Sequence, residues 1–141
     1  MNATTASRAT RALGLATIVG VALLLLFGLV VSPPDGVSVG EAPSGARIGM
    51  GEYVRIMYVH VPTALVAFLA FFVTVGGSVM FLIRRSEWWD LVAHASAELG
   101  AVLLFGTLLT GALWGEPTWG TYWEWQDARL TTSAILFFLV L

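Results

Sequence analysis

The chain contains no cysteine and no lysine, and only 11% of its 141 residues are charged. Without cysteine, disulfide staples and thiol chemistry are excluded. So low a charged fraction, beside 57% hydrophobic residues, is not the profile of a soluble domain. With no lysine, the seven basic residues are all arginine, and any membrane orientation is read from them alone. No internal repeat is visible, and no nucleophile or acid–base pair points to bond-making catalysis.

The apolar residues fall in long runs. Ala12 to Val31 gives 20 residues without a charge and Val61 to Ile83 gives 23; about 20 suffice to cross a bilayer as a helix. A third run, Leu91 to Leu113, carries His94 and Glu98 in its first turns. A fourth, Leu130 to Leu141, has 12 residues, which at 1.5 Å each reach only about 18 Å. The expected fold is an all-α integral membrane protein: a single domain, 1–141, forming a polytopic helical bundle. Its helices are expected near 12–31, 61–83 and 91–113, with a fourth, 130–141, cut off part-way. Arg8 and Arg11 before the first run resemble the start of a secretion signal, but the run is longer than a signal's and no clear cleavage site follows, so a retained helix is expected.

Arg8, Arg11, Arg84 and Arg85 fall on one side of this layout, and Arg47, Arg55 and Arg129 on the other. The paired arginines of the short "RRSEWWD" turn weigh most, which puts the N-terminus in the cytoplasm. An outer loop, 32–60, is Pro- and Gly-rich with no helical or strand period. A second outer segment, 114–129, holds four of the six tryptophans within twelve positions.

That segment reads "WGEPTWGTYWEWQDAR". Aromatic belts gather at membrane interfaces and account for one or two such rings per helix end. Trp119 and Trp123 would share a face if the segment were helical, with Tyr122 and Trp125 as an i, i+3 pair beside them. The expected result is a broad apolar platform edged by Glu124, Gln126, Asp127 and Arg129, suited to a large planar ligand. Pro62, in "YVHVPTAL", is expected to mark the start of the second helix, because proline is favoured in a first helical turn. His60 would then lie level with the platform, and a neutral imidazole is the commonest metal ligand. Gly111 and Gly115, a small-xxx-small pair, suggest close helix packing.

"TGALWGEPTWGTYWEWQDARLTT" and "YVRIMYVHVPTAL", with "ASAELG" between them, resemble the tryptophan-rich haem-handling proteins of cytochrome c maturation, most of all their haem exporter protein C (CcmC-type) branch. The resemblance covers roughly residues 50 to 135. It implies non-covalent b-type haem at the outer face of the cell (inner or plasma) membrane, ligated at iron by His60. It also implies that the ring lies among Trp114, Trp119, Tyr122, Trp123 and Trp125, with Asp127 beside it and propionates near Arg55 or Arg129. It further implies presentation of haem to a small membrane-anchored haem chaperone, with ABC transporter subunits and a short helper subunit nearby, and a second axial histidine in an outer loop after the fourth helix, beyond Leu141. The lipid bilayer is the remaining partner, and no nucleic acid is expected. In one respect the signature departs from the family: Gln126 separates the last tryptophan from Asp127. Either the turn bulges there or Asp127 and Arg129 face differently.

Other readings use the same residues. A larger cytochrome c synthase-type relative shares the tryptophan motif. A transporter fragment would use Glu98 as coupling carboxylate, and a structural subunit would use the tryptophans only as a belt. His94 and Glu98, four apart, share a helical face; such a pair snorkels, bonds a neighbouring helix, or lines a proton path. His94 is expected about 35 Å of helix rise from His60, too far to share one iron.

Overall fold

A computed structural model describes residues 8–34, 40–41, 47–48 and 50–141. The expected features of 35–39, 42–46 and 49 lie outside the described residues. Among the described residues the framework is helical: α1 (Arg8–Leu25), α2 (Val54–Arg84), α3 (Glu87–Trp119) and α4 (Ala128–Val140). The first three are long and apolar enough to cross a membrane, α1 counted with its continuation to Val31.

Helix α1 begins four residues before the apolar run, since Arg8, Ala9, Arg11 and Ala12 are good helix formers. It continues as a π-helical segment, Leu26–Val31, whose Gly28 is buried against α2. A Cβ on Gly28 would stand 3.0 Å from the Tyr58 Cβ, so only glycine lets the two helices approach there. Ser32 ends the segment, its N–H and hydroxyl both donating to the Phe27 carbonyl at 2.8 and 2.6 Å; Pro33 and Pro34 then bar continuation.

The loop that follows was expected to lack strand structure, yet it contains a two-residue antiparallel ladder. β1 (Gly40–Glu41) pairs with β2 (Arg47–Ile48), Gly40 opposite Ile48 and Glu41 opposite Arg47. Two residues are too few to display a period of two in sequence.

Helix α2 starts at Val54, not at Pro62, and Pro62 lies inside it. Tertiary contacts hold the two turns ahead of the proline. Tyr58 packs on Gly28, Arg55 Nε donates to the Ser32 carbonyl at 2.9 Å, and His60 bonds to α3. These contacts offset the hydrogen bond that proline cannot make to the Tyr58 carbonyl. At 31 and 33 residues, α2 and α3 run about 46 and 50 Å, well beyond a hydrocarbon core of about 30 Å. The pair is therefore longer than the bilayer core it can cross.

α2 and α3 form an antiparallel hairpin. Arg85 turns the chain with φ 51°, its N–H donating to the Phe81 carbonyl at 2.8 Å, and Ser86 enters α3 in an extended conformation. Arg84 in the last turn of α2, and Glu87 and Asp90 in the first turn of α3, complement the two helix dipoles. Small residues make the seam: Ala67, Ala70, Gly77, Gly100 and Ala101 are buried, and Leu104 is fully enclosed. Without a hydrophobic drive between helices in lipid, such close backbone approach supplies the packing energy. The Thr74 and Ser96 hydroxyls bond across the seam at 2.9 Å. α4 packs back against α3, with the Phe105 and Phe137 rings 5.8 Å apart.

Candidate functional site

The site is built at the end of the hairpin where α2 begins and α3 finishes. His60, on the second turn of α2, lies against α3: its Nδ1 is 2.9 Å from the Thr110 hydroxyl. Gly111 makes this possible, because a Cβ there would meet the imidazole Cε1 at 3.0 Å. The small-xxx-small pair thus serves side chains more than helix backbones. Gly111 seats His60, and Gly115 seats Trp119, whose Cε3 would lie 3.4 Å from a Gly115 Cβ.

α3 ends at Trp119, because Gly120 takes φ 77° and its N–H closes on the Glu116 carbonyl at 2.8 Å, a left-handed cap that glycine adopts without strain. Trp114 and Trp119 therefore belong to the last turns of α3, whereas Trp123 and Trp125 belong to the connection into α4. The expected single helical platform does not form. Instead there are two edge-to-face pairs, Trp114 with Trp119 at 4.9 Å and Trp123 with Trp125 at 5.4 Å. Thr121 braces the connection, donating to the Trp123 carbonyl at 3.0 Å and accepting from the Trp123 N–H at 3.3 Å.

Asp127 caps α4, accepting from the Arg129 N–H at 2.8 Å. Its carboxylate also grips the Arg129 side chain, Nη2 at 2.7 Å and Nε at 3.1 Å. The Arg129 guanidinium and backbone N–H beside it hold the Asp127 carboxyl down to about 2, from an ordinary 3.8. The guanidinium carbon stands 5.6 Å from the Trp119 ring centroid, within cation–π range. A turn, Asp127 N–H to Glu124 carbonyl at 3.2 Å, absorbs the extra Gln126, so Asp127 and Arg129 face the tryptophans.

A cavity of about 280 Å³ opens between these elements, walled by His60, Phe68, Trp114, Trp119, Arg129 and Ser133 among others. A second, of about 130 Å³, adjoins it across Gly111, Trp119, Asp127 and Arg129 and is also lined by Tyr122 and Glu124. The first is near the lower size limit of ligand pockets and open to one side, so it would take part of a large flat molecule. Among the described residues, two buried polar side-chain atoms lack a hydrogen-bond partner, Nε1 of Trp114 and of Trp123.

The structure thus gathers His60, Trp114, Trp119, Tyr122, Asp127 and Arg129. It leaves Trp123 and Trp125 outside the cavity lining, and Arg55 as well. Arg55 is paired with Glu52 at 2.7 Å and holds the end of the π segment. His94 and Glu98 form an exposed pair at 3.4 Å. His94 lies 16 residues before Thr110, about 24 Å along α3. That is shorter than the expected 35 Å because His94 stands two turns into α3, which runs back toward His60, but one iron still cannot bind both. Sequence reading missed Thr107, Thr110, Ala64 and Phe68. Ala64 and Phe68 follow His60 at i+4 and i+8, the one signal that would have found them.

The profile of the family described as Heme exporter protein C matches residues 2–141. The chain belongs to that family. It is 43% identical over 104 residues, 74% of this chain and 44% of the relative, to a putative cytochrome c biosynthesis ccmC-like mitochondrial protein of Marchantia polymorpha. It is 46% identical over 91 residues (64% and 37%) to Heme exporter protein C of Paracoccus denitrificans. To the protein of that name from Haemophilus influenzae it is 42% identical over 106 residues (75% and 43%). The chain spans less than half the length of these relatives.

The residues gathered at this site fit a haem. Among the described residues no three metal-binding side chains cluster, but iron already held by a porphyrin needs only axial ligands, for which one histidine serves. Apolar and aromatic walls suit the macrocycle, and a cation at the rim suits its carboxylates.

Proposed function

We propose that this chain is the haem-holding part of a membrane component of cytochrome c maturation, and that it hands haem on without making or breaking bonds in it. The observation that carries the reading is the convergence of His60, Trp114, Trp119 and Arg129 on one cavity. Bound haem would supply an iron and two carboxylates. His60 would ligate the iron, Trp114 and Trp119 would flank the ring, and Arg129 would meet a propionate. Trp125, exposed on the same connection and braced edge-to-face by the half-buried Trp123, would present an aromatic surface to the recipient.

With no cysteine in the chain, it cannot form a thioether to the vinyl groups, so the haem it holds would be b-type. The site would face the outer side of the cell membrane, with Arg84 and Arg85 inside, in keeping with the positive-inside bias. A membrane-anchored haem chaperone would receive the cofactor, and ABC transporter subunits with a small helper would stand alongside.

The deciding experiment is an optical spectrum of the haem-loaded protein in lipid nanodiscs, native and His60→Ala, oxidised and reduced. A Soret band is expected in the native protein, lost or shifted in the variant. A native protein that stays colourless with haem, or a variant with the native spectrum, would overturn the reading.

A further inference from the structure

The Thr110 hydroxyl has three neighbours within hydrogen-bond distance: the Gly106 carbonyl at 2.8 Å, the Thr107 carbonyl at 3.2 Å and His60 Nδ1 at 2.9 Å. A hydroxyl has one proton and two lone pairs. The two carbonyls can only accept, so the Thr110 proton goes to them, along α3. The contact with His60 is then made only if Nδ1 carries the proton and donates to the Thr110 oxygen. With the proton on Nε2 instead, Thr110 could satisfy the ring or its own helix but not both. The neutral imidazole is therefore biased to the Nδ1–H form, which leaves the lone pair on Nε2.

We infer that Thr110 is the positioning residue of the site: it selects the tautomer of His60 that keeps Nε2 free to ligate metal and, with Gly111 beneath the ring, sets the ring's rotation. The inference rests on the reading of His60 as iron ligand and adds the group that prepares it. Metal-bound histidines are commonly oriented by a hydrogen bond from the other ring nitrogen, and loss of that partner typically weakens metal binding 10–100-fold. A hydroxyl whose own proton is committed to its helix is a pure acceptor toward the ring, as that role requires.

The test uses the whole chain in nanodiscs with ¹⁵N-labelled histidine, His94 being replaced by asparagine so that one ring is read. In the haem-free protein, at a pH where the ring is neutral, His60 is expected to be protonated at Nδ1 and bare at Nε2. Thr110→Val keeps the shape and removes the acceptor, and should bring up the Nε2–H form. Thr110→Ser should restore the native pattern. In the haem-loaded protein Thr110→Val should lose haem about tenfold more readily, with a changed iron–histidine stretch in resonance Raman, while Thr110→Ser stays within about twofold of native. A native ring protonated at Nε2, or a Thr110→Val protein with native tautomer and native haem retention, overturns the inference. If the tautomer is as inferred but His60→Ala keeps the native haem spectrum, the ligand role falls, and the positioning role with it, while the hydrogen bond stands.

Discussion

Arg129 reaches back over two residues to the Asp127 carboxylate, Nη2 to Oδ2 at 2.7 Å and Nε to Oδ1 at 3.1 Å, and this grip holds its guanidinium 5.6 Å from the Trp119 ring. One carboxylate therefore both starts α4 and aims the cation at the cavity rim. Because the folded pKa of Asp127, about 2, lies below its ordinary 3.8, its contribution is fully present above about pH 4 and is lost as pH falls through 2. Asp127→Asn keeps an N-cap but loses the charge. Limited trypsin cleavage after Arg129 should be faster in Asp127→Asn and faster still in Asp127→Ala at neutral pH. Equal cleavage of all three proteins would show that the pair does not order the start of α4.

Trp119 meets Trp114 edge to face and has the Arg129 guanidinium over its ring. Trp119→Ala should raise the haem dissociation constant roughly tenfold and Trp119→Phe by less, in line with the strength of aromatic pairs. Titration of haem into nanodisc-held protein measures both; equal affinities in all three proteins would remove Trp119 from the site.

Two glycines on α3 face α2 with different room. A Cβ on Gly111 would press on His60 at 3.0 Å, whereas one on Gly106 would only touch Thr63 Cγ2 at 3.8 Å. Gly111→Ala should shift the haem spectrum and lower retention. Gly106→Ala should leave the spectrum intact and stabilise the helix by about 0.5–1 kcal/mol. The idea fails if the two variants behave alike.

On the hairpin seam, a Cβ on Gly77 would meet the Ala93 backbone at 3.1 Å, while one on Gly76 finds nothing within 4 Å. Gly77→Ala should destabilise the hairpin by about 1–3 kcal/mol, the range for overpacking, and Gly76→Ala should not. Thermal unfolding in detergent followed by circular dichroism separates them, and a Gly77→Ala protein as stable as native would refute the tight seam.

Arg85 is the one non-glycine residue with positive φ among the described residues, a conformation that costs an L-residue roughly 1–2 kcal/mol. Arg85→Gly should therefore stabilise the hairpin by about 1 kcal/mol. A destabilised variant in the same unfolding assay would show that the Arg85 side chain contributes more to the fold than its backbone strain costs.

Legibility differed by kind of residue. The spans and the turn at Arg84 and Arg85 were readable because the cost of placing charge in lipid acts on every residue in a run. Pro62 misled, since its local preference for a first helical turn was outweighed by contacts of Tyr58, Arg55 and His60 with distant segments. The tryptophan stretch was half legible: the residue order showed the family, but the turn at Gly120 split the four rings into two pairs, and left-handed glycine is not visible as a break in an aromatic pattern.

By itself the sequence determined that this is a helical membrane chain with a histidine and an aromatic segment at the same end, because partition into lipid and the motif residues are local properties. Only the tertiary structure decided that His60 meets Thr110, 50 residues away, over a glycine that clears the ring. It alone decided, too, that Trp114, Trp119 and Arg129 wall the cavity while Trp123, Trp125 and Arg55 stand outside it. Those outcomes depend on the rotational phase of α2 against α3 and on the angle at which the chain leaves α3, and both are set by packing between segments distant in the chain.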